Sequence, residues 1–270
     1  MRQFIFTGKT EKNGSIFVSG KDYRYLMNVL RLKINDKIDV RLKNGDLLFM
    51  EIISADGKTA TLKPIPRENS AVTQGVSAFS LGQENGTKEK EYWLFQFMPK
   101  PQKMDLIIRQ ATECGVSKIV PILSEYSVKQ EGKGRLERWE RIIKEALQQS
   151  GSPVPTKILE PCTVEEAANL WKDATSTLET LDKKAFILHE DASLAVDVKT
   201  LLKDTQEANK NERTEKQKKL ALGVGCEGGF SKKEFETLKE VGFMPLHFNT
   251  NVLRAETAAI YGMAILQQIF

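Results

Sequence analysis

The sequence contains the stretch Leu220-Ala221-Leu222-Gly223-Val224-Gly225-Cys226-Glu227-Gly228-Gly229. Its first half is an apolar run ending in glycine, which is typical of a strand buried in a parallel sheet. Four glycines in the seven positions from 223 to 229 then allow the main chain to approach a ligand closely. Open α/β sheets bind ligands where such strands end. The stretch therefore predicts an α/β domain with a binding site at this strand end.

Strand and helix patterns alternate on both sides of this stretch. Strands are predicted at residues 92–98, 118–123, 185–189 and 245–248, and helices from Pro101 to Gly115, over 136–150, after the capping box Ser231-Lys232-Lys233-Glu234, and from Ala255 to Phe270. The charged segment 203–219 is expected to be a solvated loop or a helix extension. The alternation predicts an α/β domain with a mostly parallel sheet over residues 92–270.

The N-terminal part has a different pattern. Short period-two runs at residues 16–18, 37–42 and 47–53 are separated by turn signals such as Asn44-Gly45-Asp46, which predicts hairpins of a small β-barrel over residues 1–70. A helix is predicted over residues 23–32. Residues 71–91 lose the pattern and are predicted to be a linker between the two domains.

Composition limits the classes of function. The chain has no run long enough to span a bilayer and its N-terminus does not resemble a signal peptide, so we expect a soluble cytoplasmic protein. Cys114, Cys162 and Cys226 are odd in number and contain no CxxC pair, which argues against a disulfide framework and a zinc site. With two histidines, His189 and His247, no multi-histidine metal site is expected. Metal catalysis through carboxylates alone stays open.

Charge is unevenly distributed. Residues 1–70 contain 13 Lys and Arg against 8 Asp and Glu, a balance of +5, so the remainder of this +4 chain sums to −1. A basic module beside a near-neutral one is typical of a nucleic-acid-docking domain attached to an enzyme. The alternative is a solvated surface with a modest imbalance. The residues selected for RNA docking are Arg2, Arg24, Arg31 and Lys33.

The glycine turn argues against two common ligand motifs. Its glycines do not follow the Gly-x-Gly-x-x-Gly pattern of a dinucleotide site, and no lysine follows Gly229 as in a phosphate loop. The negative charge of Glu227 would also repel a phosphate. A ligand with positive charge fits better. The segment Asn251-Val252-Leu253-Arg254-Ala255-Glu256-Thr257-Ala258 adds a guanidinium and a carboxylate at the start of an apolar helix.

Several motifs occur in a characteristic order along the chain. They are Lys103-Met104-Asp105-Leu106, Ala111-Thr112-Glu113-Cys114-Gly115-Val116, Arg138-Trp139 with Glu145-Ala146-Leu147-Gln148-Gln149-Ser150-Gly151, Gly225-Cys226-Glu227-Gly228-Gly229-Phe230-Ser231, and Leu253-Arg254-Ala255-Glu256-Thr257-Ala258. This order resembles the family of bacterial ribosomal RNA small-subunit methyltransferase E, SPOUT-class enzymes that methylate N3 of a uridine in 16S ribosomal RNA. The run Val29-Leu30-Arg31-Leu32-Lys33-Ile34-Asn35-Asp36 resembles the small barrel of the same family, so the resemblance covers nearly the whole chain.

The resemblance implies an N-terminal PUA-like barrel and a C-terminal SPOUT domain with a trefoil knot. It also implies a homodimer that binds S-adenosylmethionine in the knot and acts on 16S ribosomal RNA or the small ribosomal subunit. Three loops would form the cofactor site. They contribute Leu188 and His189, then Leu222, Gly223, Gly225, Glu227 and Gly228, and then Phe248, Asn249 and Leu253.

Catalysis is assigned to Arg254 and Glu256. Arg254 would stabilise negative charge on the uracil carbonyl oxygens as N3 loses its proton, and Glu256 would either orient Arg254 or act on the proton. A charge pair with a capping interaction is the structural alternative for these two residues. For His189, a packed and hydrogen-bonded histidine is the alternative to a functional one.

Some positions depart from the family pattern. Cys226 stands where proline is usual, Asn249 and Asn251 stand where glycine and arginine are usual, Tyr126 and Ser152 stand where arginine is common, Gln110 replaces a lysine, and Asn35 replaces a turn glycine. Asn249 is expected to accept the left-handed backbone conformation of a glycine. Two alternatives to the implied enzyme follow: a knotted RNA-binding or ribosome-associated protein with weakened catalysis, and a methyltransferase for a different RNA.

Overall fold

The computed structural model describes residues 3–43, 45–66, 90–127, 134–178, 183–209 and 218–270. These fall into two compact units, the first within Met1–Ser80 and Leu147–Pro153, the second within Leu81–Ala146 and Val154–Phe270. The boundaries proposed from the sequence, 1–70 and 92–270, stay predictions. The predicted linker, 71–91, lies outside the described residues except for Lys90 and Glu91.

The first unit is built on a five-stranded sheet. Its strands are β1 (Gln3–Phe6), β2 (Ile16–Ser19), β3 (Lys37–Leu42), β4 (Leu47–Ala55) and β5 (Thr59–Pro64). The order is β1-β3-β4-β5-β2; β1 pairs with β3 in parallel and the other neighbours are antiparallel. Each strand buries apolar side chains in one core, among them Phe4, Ile16, Val40, Met50 and Leu62. Strands β2, β3 and β4 were predicted, whereas β1 and β5 were not.

The helix predicted over residues 23–32 is wrong at both ends. Helix α1 covers Gly20–Arg24, and a π-helical turn, Tyr25–Val29, follows it. Arg31 then adopts a left-handed conformation with φ 56°, which is incompatible with a continuing right-handed helix. Asn35, with φ 75°, is also left-handed, a conformation that asparagine tolerates better than most residues.

The second unit is built on a seven-stranded sheet. Its strands are β6 (Glu91–Phe97), β7 (Lys118–Ile122), β8 (Lys157–Ile158), β9 (Lys183–Leu188), β10 (Val196–Asp197), β11 (Lys219–Val224) and β12 (Phe243–His247). Its helices are α2 (Pro101–Glu113), α3 (Arg135–Ser150), α4 (Val164–Ala174), α5 (Val198–Asn209), α6 (Lys232–Glu240) and α7 (Ala255–Ile269), with a 3₁₀ turn at Ala192–Leu194. The strand order is β10-β12-β9-β11-β6-β7-β8, and every neighbouring pair is parallel.

This topology confirms the predicted fold class, an α/β domain with a mostly parallel sheet. It does not show the trefoil knot, which stays a prediction. Because all seven strands are parallel, their carboxyl ends lie at one edge, and the loops after β6, β7, β9, β11 and β12 emerge there. The charged segment 203–219 begins as the end of α5, a helix extension as far as Asn209, and its residues 210–217 lie outside the described part.

The core under this edge is aromatic. Trp93, Phe95, Trp171 and Phe243 pack edge to face across β6, α4 and β12, with ring centroids 5.2 to 6.1 Å apart. Such pairs bury large apolar areas and restrict side-chain rotation. The core therefore fixes the central strands that carry the loops. None of the helices in the described ranges combines the length and the hydrophobicity that a bilayer span requires.

Candidate functional site

A cavity of 730 Å³ opens at the carboxyl edge of the parallel sheet. Three loops form most of its wall, and they follow β9, β11 and β12. The β9 loop contributes His189 and Glu190, the β11 loop contributes residues 225–231, and the β12 loop contributes Phe248 and residues 250–253. These are the three loops that the resemblance assigns to a cofactor site.

Seven of the ten predicted cofactor residues line this cavity: Leu188, His189, Gly225, Glu227, Gly228, Phe248 and Leu253. The other three do not. Leu222 and Gly223 are buried within β11, below the cavity, and Asn249 is exposed in the β12 loop. The structure thus brings most of the predicted set together, and the cofactor role of each residue stays a prediction.

The glycine turn after β11 is too tight for larger residues at one position. A Cβ atom on Gly225 would lie 2.9 Å from Gly229 Cα and 3.0 Å from Gly229 C, both backbone atoms. Gly229 has φ 72°, and its N–H donates to Cys226 O at 3.0 Å. Gly225 and Gly229 are therefore required by space and by backbone conformation.

Gln96 supports the glycine turn from below. Its buried side chain on β6 donates from Nε2 to the carbonyl oxygens of Val224 and Gly225, each at 3.3 Å, and to Phe97 O at 2.9 Å. Bonds from one buried amide to successive carbonyls hold the end of β11 in place. Gln96 is thus a structural residue of the site that no local sequence pattern singles out.

Lys103 joins two carboxylates that are far apart in the chain. Its Nζ lies 3.2 Å from Glu227 Oε1 and 3.3 Å from Glu256 Oε2. Glu227 belongs to the glycine turn, Glu256 to the first turn of α7 and Lys103 to the first turn of α2. Glu256 Oε2 is buried and receives no hydrogen bond from the described residues, so the ion pair with Lys103 compensates its charge.

The pKa values in this cluster follow from these contacts. Desolvation would lower the pKa of Lys103, but its short contacts with the Glu227 and Glu256 carboxylates and their negative charges outweigh it, so the pKa is raised. Desolvation would likewise raise the pKa of Glu227. Hydrogen bonds from the N–H groups of Glu227 and Lys100, with the contact to Lys103, outweigh it and lower that pKa. Both groups are therefore held in their charged forms.

Arg254 lies immediately before α7, at its N-cap position. Its side chain is exposed and forms no capping hydrogen bond. Glu256, two residues later, has a side chain that is 16% exposed and is paired with Lys103. The two residues predicted to be catalytic therefore differ: Arg254 is presented to solvent, while Glu256 is engaged by another part of the chain.

The two histidines lie at the ends of neighbouring strands. Asp191 N–H donates to His189 Nδ1 at 3.1 Å, and the ring of His189 packs on Phe235 with centroids 4.9 Å apart. His247 Nδ1 is 3.1 Å from His189 O. These contacts are those of the packed, hydrogen-bonded histidine considered as the alternative, although His189 also lines the cavity.

The RNA-docking residues lie on the first unit. Arg24, Arg31 and Lys33 are exposed, and Arg2 lies outside the described residues. Arg31, one of these residues, has a left-handed backbone conformation, which is strained for a residue other than glycine. In the described part of the chain, no group of three or more His, Cys, Asp or Glu residues is arranged to hold a metal ion.

Two of the departing positions have clear structural settings. Cys226 is buried in the glycine turn, with Sγ 3.6 Å from Gly229 O. Asn249 was expected to be left-handed and is not: Arg31 and Asn35 are the non-glycine residues with positive φ in the described chain. The β12 loop therefore makes its turn without a left-handed residue at position 249.

Lys103 is the clearest site residue that sequence reasoning missed. It lies in one of the quoted motifs, Lys103-Met104-Asp105-Leu106, but was assigned no role. A usable signal was present, because a lysine in the first turn of a helix lies against an unfavourable dipole and so needs nearby acidic partners. The identity of these carboxylates depends on the strand order, and local sequence patterns do not report strand order.

Comparisons with known proteins identify the family. A model of the RNA methyltransferase domain matches residues 87–267, and a model of the RNA methyltransferase PUA domain matches residues 18–65. Ribosomal RNA small subunit methyltransferase E 2 of Borreliella burgdorferi is 28% identical over all of this chain and 98% of the relative. Ribosomal RNA small subunit methyltransferase E of Aquifex aeolicus is 32% identical over 66% of this chain and 68% of the relative.

Solved structures share the fold. The ribosomal RNA small subunit methyltransferase E of Neisseria gonorrhoeae, bound to S-adenosyl methionine, matches with a TM-score of 0.74 at 20% identity over 100% of this chain and 98% of that one. A putative methyltransferase of Legionella pneumophila, in complex with the same cofactor, matches with a TM-score of 0.72 at 20% identity over 99% and 98% of the chains. The chain, with its PUA domain and its parallel-sheet domain, belongs to the RNA methyltransferase family of ribosomal RNA small subunit methyltransferase E.

Proposed function

We propose that this protein transfers a methyl group from S-adenosylmethionine to N3 of a uridine in the 16S ribosomal RNA of the small subunit. The observation that carries the proposal is the cavity at the carboxyl edge of the sheet, lined by Gly225, Glu227 and Phe248 from two of its three loops. The family names of the relatives support the RNA class, and the cofactor in two structures of the same fold supports the methyl donor.

The residues present fit that cofactor. A cavity of 730 Å³ is within the size range of small-molecule sites. Gly225 and Gly228 bring bare backbone to its wall, suited to hydrogen bonding an adenine edge. Glu227, kept ionised by Lys100 and Lys103, places a negative charge at the cavity, which suits a positively charged ligand. S-adenosylmethionine would supply an electrophilic methyl group on a sulfonium sulfur.

The chain's own residues would then orient the uridine and manage its proton. Arg254, exposed before α7, would stabilise negative charge on the uracil carbonyl oxygens as N3 is deprotonated. Glu256 Oε2 is buried and paired with Lys103, which favours a positioning role at the start of α7 over direct proton transfer. The site therefore works by alignment and electrostatics.

We extend the proposal to RNA docking and assembly. Arg24, Arg31 and Lys33 on the basic first unit would contact phosphates, which provides affinity without reading sequence. Uridine selection would come from the cavity, with the base turned out of its stack. We further propose a homodimer that acts in the cytoplasm, where ribosomal RNA is found in bacteria such as those of the relatives.

The direct test is methyl transfer in vitro. Purified protein is incubated with tritiated S-adenosylmethionine and with small subunits isolated from cells that lack this gene. We expect label in 16S RNA, and mass spectrometry of the digested RNA should identify N3-methyluridine at one position. Subunits from cells that contain the gene serve as the control and should accept little label, because their site is already modified.

The alternatives predict different results. Absence of S-adenosylmethionine binding at millimolar ligand in calorimetry would leave a knotted RNA-binding protein without efficient catalysis. Binding of the cofactor with label in a different RNA would keep the methyltransferase and replace its substrate. Gel separation of labelled total RNA distinguishes these outcomes.

A further inference from the structure

Tyr126 is an exposed aromatic residue held beside the cavity. It lies in the turn that follows β7, at the same edge of the sheet as the cavity loops, and is 54% exposed. Single exposed aromatic residues are common on protein surfaces and need no explanation by themselves. Here two further observations, the anchoring of the turn and the close approach of Gly228, distinguish the residue.

The turn is anchored by a buried carboxylate. Glu234, 3% exposed at the start of α6, accepts from Glu125 N–H at 2.9 Å and from Ser124 Oγ at 3.2 Å. Tyr126 N–H in turn donates to Ser124 Oγ at 3.1 Å. These bonds hold the backbone up to Tyr126. Ser127 holds it on the other side, because its N–H donates to Ser124 O at 3.0 Å and its Oγ donates to Met98 O at 2.9 Å. A ring carried on a backbone held in this way loses less freedom when a ligand stacks on it than a ring on a mobile loop would.

Gly228 brings the cavity turn against Tyr126. A Cβ atom on Gly228 would lie 2.9 Å from Tyr126 Cβ and 3.2 Å from Tyr126 Cγ, closer than van der Waals contact allows. Gly228 itself lines the cavity. The absence of a side chain at 228 therefore allows the tyrosine to lie directly at the cavity rim, with much of its surface facing solvent.

A flat aromatic ring at this place is suited to one class of ligand. In single-stranded RNA, unstacked bases are commonly held on tyrosine, phenylalanine or tryptophan rings. We infer that Tyr126 is a stacking platform for a nucleobase of the RNA substrate next to the nucleotide that enters the cavity. The inference rests on the proposed RNA substrate and adds a base-binding subsite to it.

The test measures RNA affinity apart from catalysis. Fluorescently labelled 16S RNA transcribed in vitro is titrated with the protein and S-adenosylhomocysteine, using wild type, Tyr126→Ala, Tyr126→Phe and Leu123→Ala. Leu123 is the matched control, because it is an apolar residue, 48% exposed, in the same segment after β7. We expect Tyr126→Ala to weaken binding about tenfold, and Tyr126→Phe and Leu123→Ala to stay within about twofold of wild type.

Each other outcome overturns the inference. Unchanged affinity of Tyr126→Ala removes the stacking role, and an equal loss for Leu123→Ala shows a general effect on the turn. Calorimetry with S-adenosylmethionine checks the cofactor: a loss of affinity in Tyr126→Ala that matches its loss for RNA would assign the ring to the cofactor cavity instead. The proposed function fails separately, when wild-type protein binds RNA but transfers no methyl group.

Discussion

Arg254 is the residue on which the proposed chemistry depends most. We expect Arg254→Ala to lower the methylation rate by about 100-fold or more, because a positioned charge that stabilises a developing oxyanion is worth that much in other enzymes. Affinity for S-adenosylmethionine should stay within a few-fold of wild type, since the side chain is exposed before α7. Single-turnover kinetics and calorimetry measure the two quantities. An equal loss of cofactor affinity would place Arg254 in the cofactor cavity or in the fold.

Gly225 and Gly223 form a matched pair for the glycine turn. A methyl group at 225 would meet the Gly229 backbone at 2.9 Å, whereas one at 223 would meet its nearest atom, Phe186 O, at 3.5 Å. We therefore expect Gly225→Ala to cost about 1–3 kcal/mol of stability and to weaken cofactor binding. Gly223→Ala should be close to wild type in both. Urea unfolding and calorimetry measure them, and similar losses in both variants would contradict this explanation.

Lys103 makes stability at the site depend on pH. Because the pKa of Glu227 is lowered in the folded protein, its stabilisation is present above its unfolded value of about 4.3 and is lost as pH falls through the lowered value. We expect Lys103→Met to lower the urea midpoint at pH 7, and the difference from wild type to shrink towards pH 3. Because the pKa of Lys103 is raised in the folded protein, charged Lys103 stabilises the fold fully below its unfolded pKa of about 10.4. That stabilisation is lost as pH rises through the raised value.

The control for this prediction is Lys100→Met. Lys100 contacts Glu227 through its backbone N–H, at 3.3 Å, so removing its side-chain amine leaves that hydrogen bond in place. A midpoint like that of wild type is expected at both pH values. If Lys100→Met reproduced the loss seen in Lys103→Met, general charge balance would explain the effect and the specific bridge would not.

Two helices begin with the same capping box but in different surroundings. In α4, Thr163 and Glu166 form an exposed box; in α6, Ser231 and Glu234 form a buried one that also holds the turn before Tyr126. We expect Glu166→Ala to cost about 1 kcal/mol and Glu234→Ala about 2–3 kcal/mol, because the latter leaves buried donors unsatisfied. Equal values in chemical denaturation would show that the extra hydrogen bonds do not contribute.

Elements with strong local patterns were predictable. Strands β6, β7, β9, β11 and β12 are apolar runs, and α6 follows the Ser231 capping box, so their existence needed no tertiary information. Strands β8 and β10 have two residues each, too few to show a hydrophobic alternation. They can be recognised only from their pairing with neighbouring strands. Helix α4 was also not predicted, although Thr163 and Glu166 carry the capping signal. The helix predicted over 23–32 failed because local apolar spacing does not report the left-handed Arg31.

The site itself was predictable in part. The glycine turn and Arg254 were found because glycine spacing and a charged pair before an apolar helix are local signals. The bridge from Lys103 to Glu227 and Glu256 was not, since it joins residues more than one hundred positions apart. Burial of Leu222 and Gly223 also depends on β11 lying between β9 and β6. Strand order is the long-range information that a single sequence does not show.

At the scale of the whole molecule, the uneven charge predicts a salt-dependent interaction with RNA. Removing one phosphate-binding cation should reduce the slope of log affinity against log salt by about 1. We expect this reduction for Arg24→Ala, Arg31→Ala and Lys33→Ala, measured by titrating labelled 16S RNA at several salt concentrations. Lys58→Ala, an exposed lysine of the same unit outside the selected set, is the control. If Lys58→Ala alone reduced the salt slope, the RNA-docking surface would lie at Lys58 and not at the three selected residues.

The strand order has a consequence for synthesis on the ribosome. The central strand β11 and the glycine turn precede β12 and α7 in the chain, yet the cavity takes part of its wall from the loop between these last two elements. A nascent chain that has emerged as far as α6 therefore has most of the sheet and no complete cavity. We therefore expect cofactor binding only after β12 has paired with β9 and the loop that follows β12 has been translated. The protein consequently becomes able to bind its ligand late, after most of its parallel sheet is available to form.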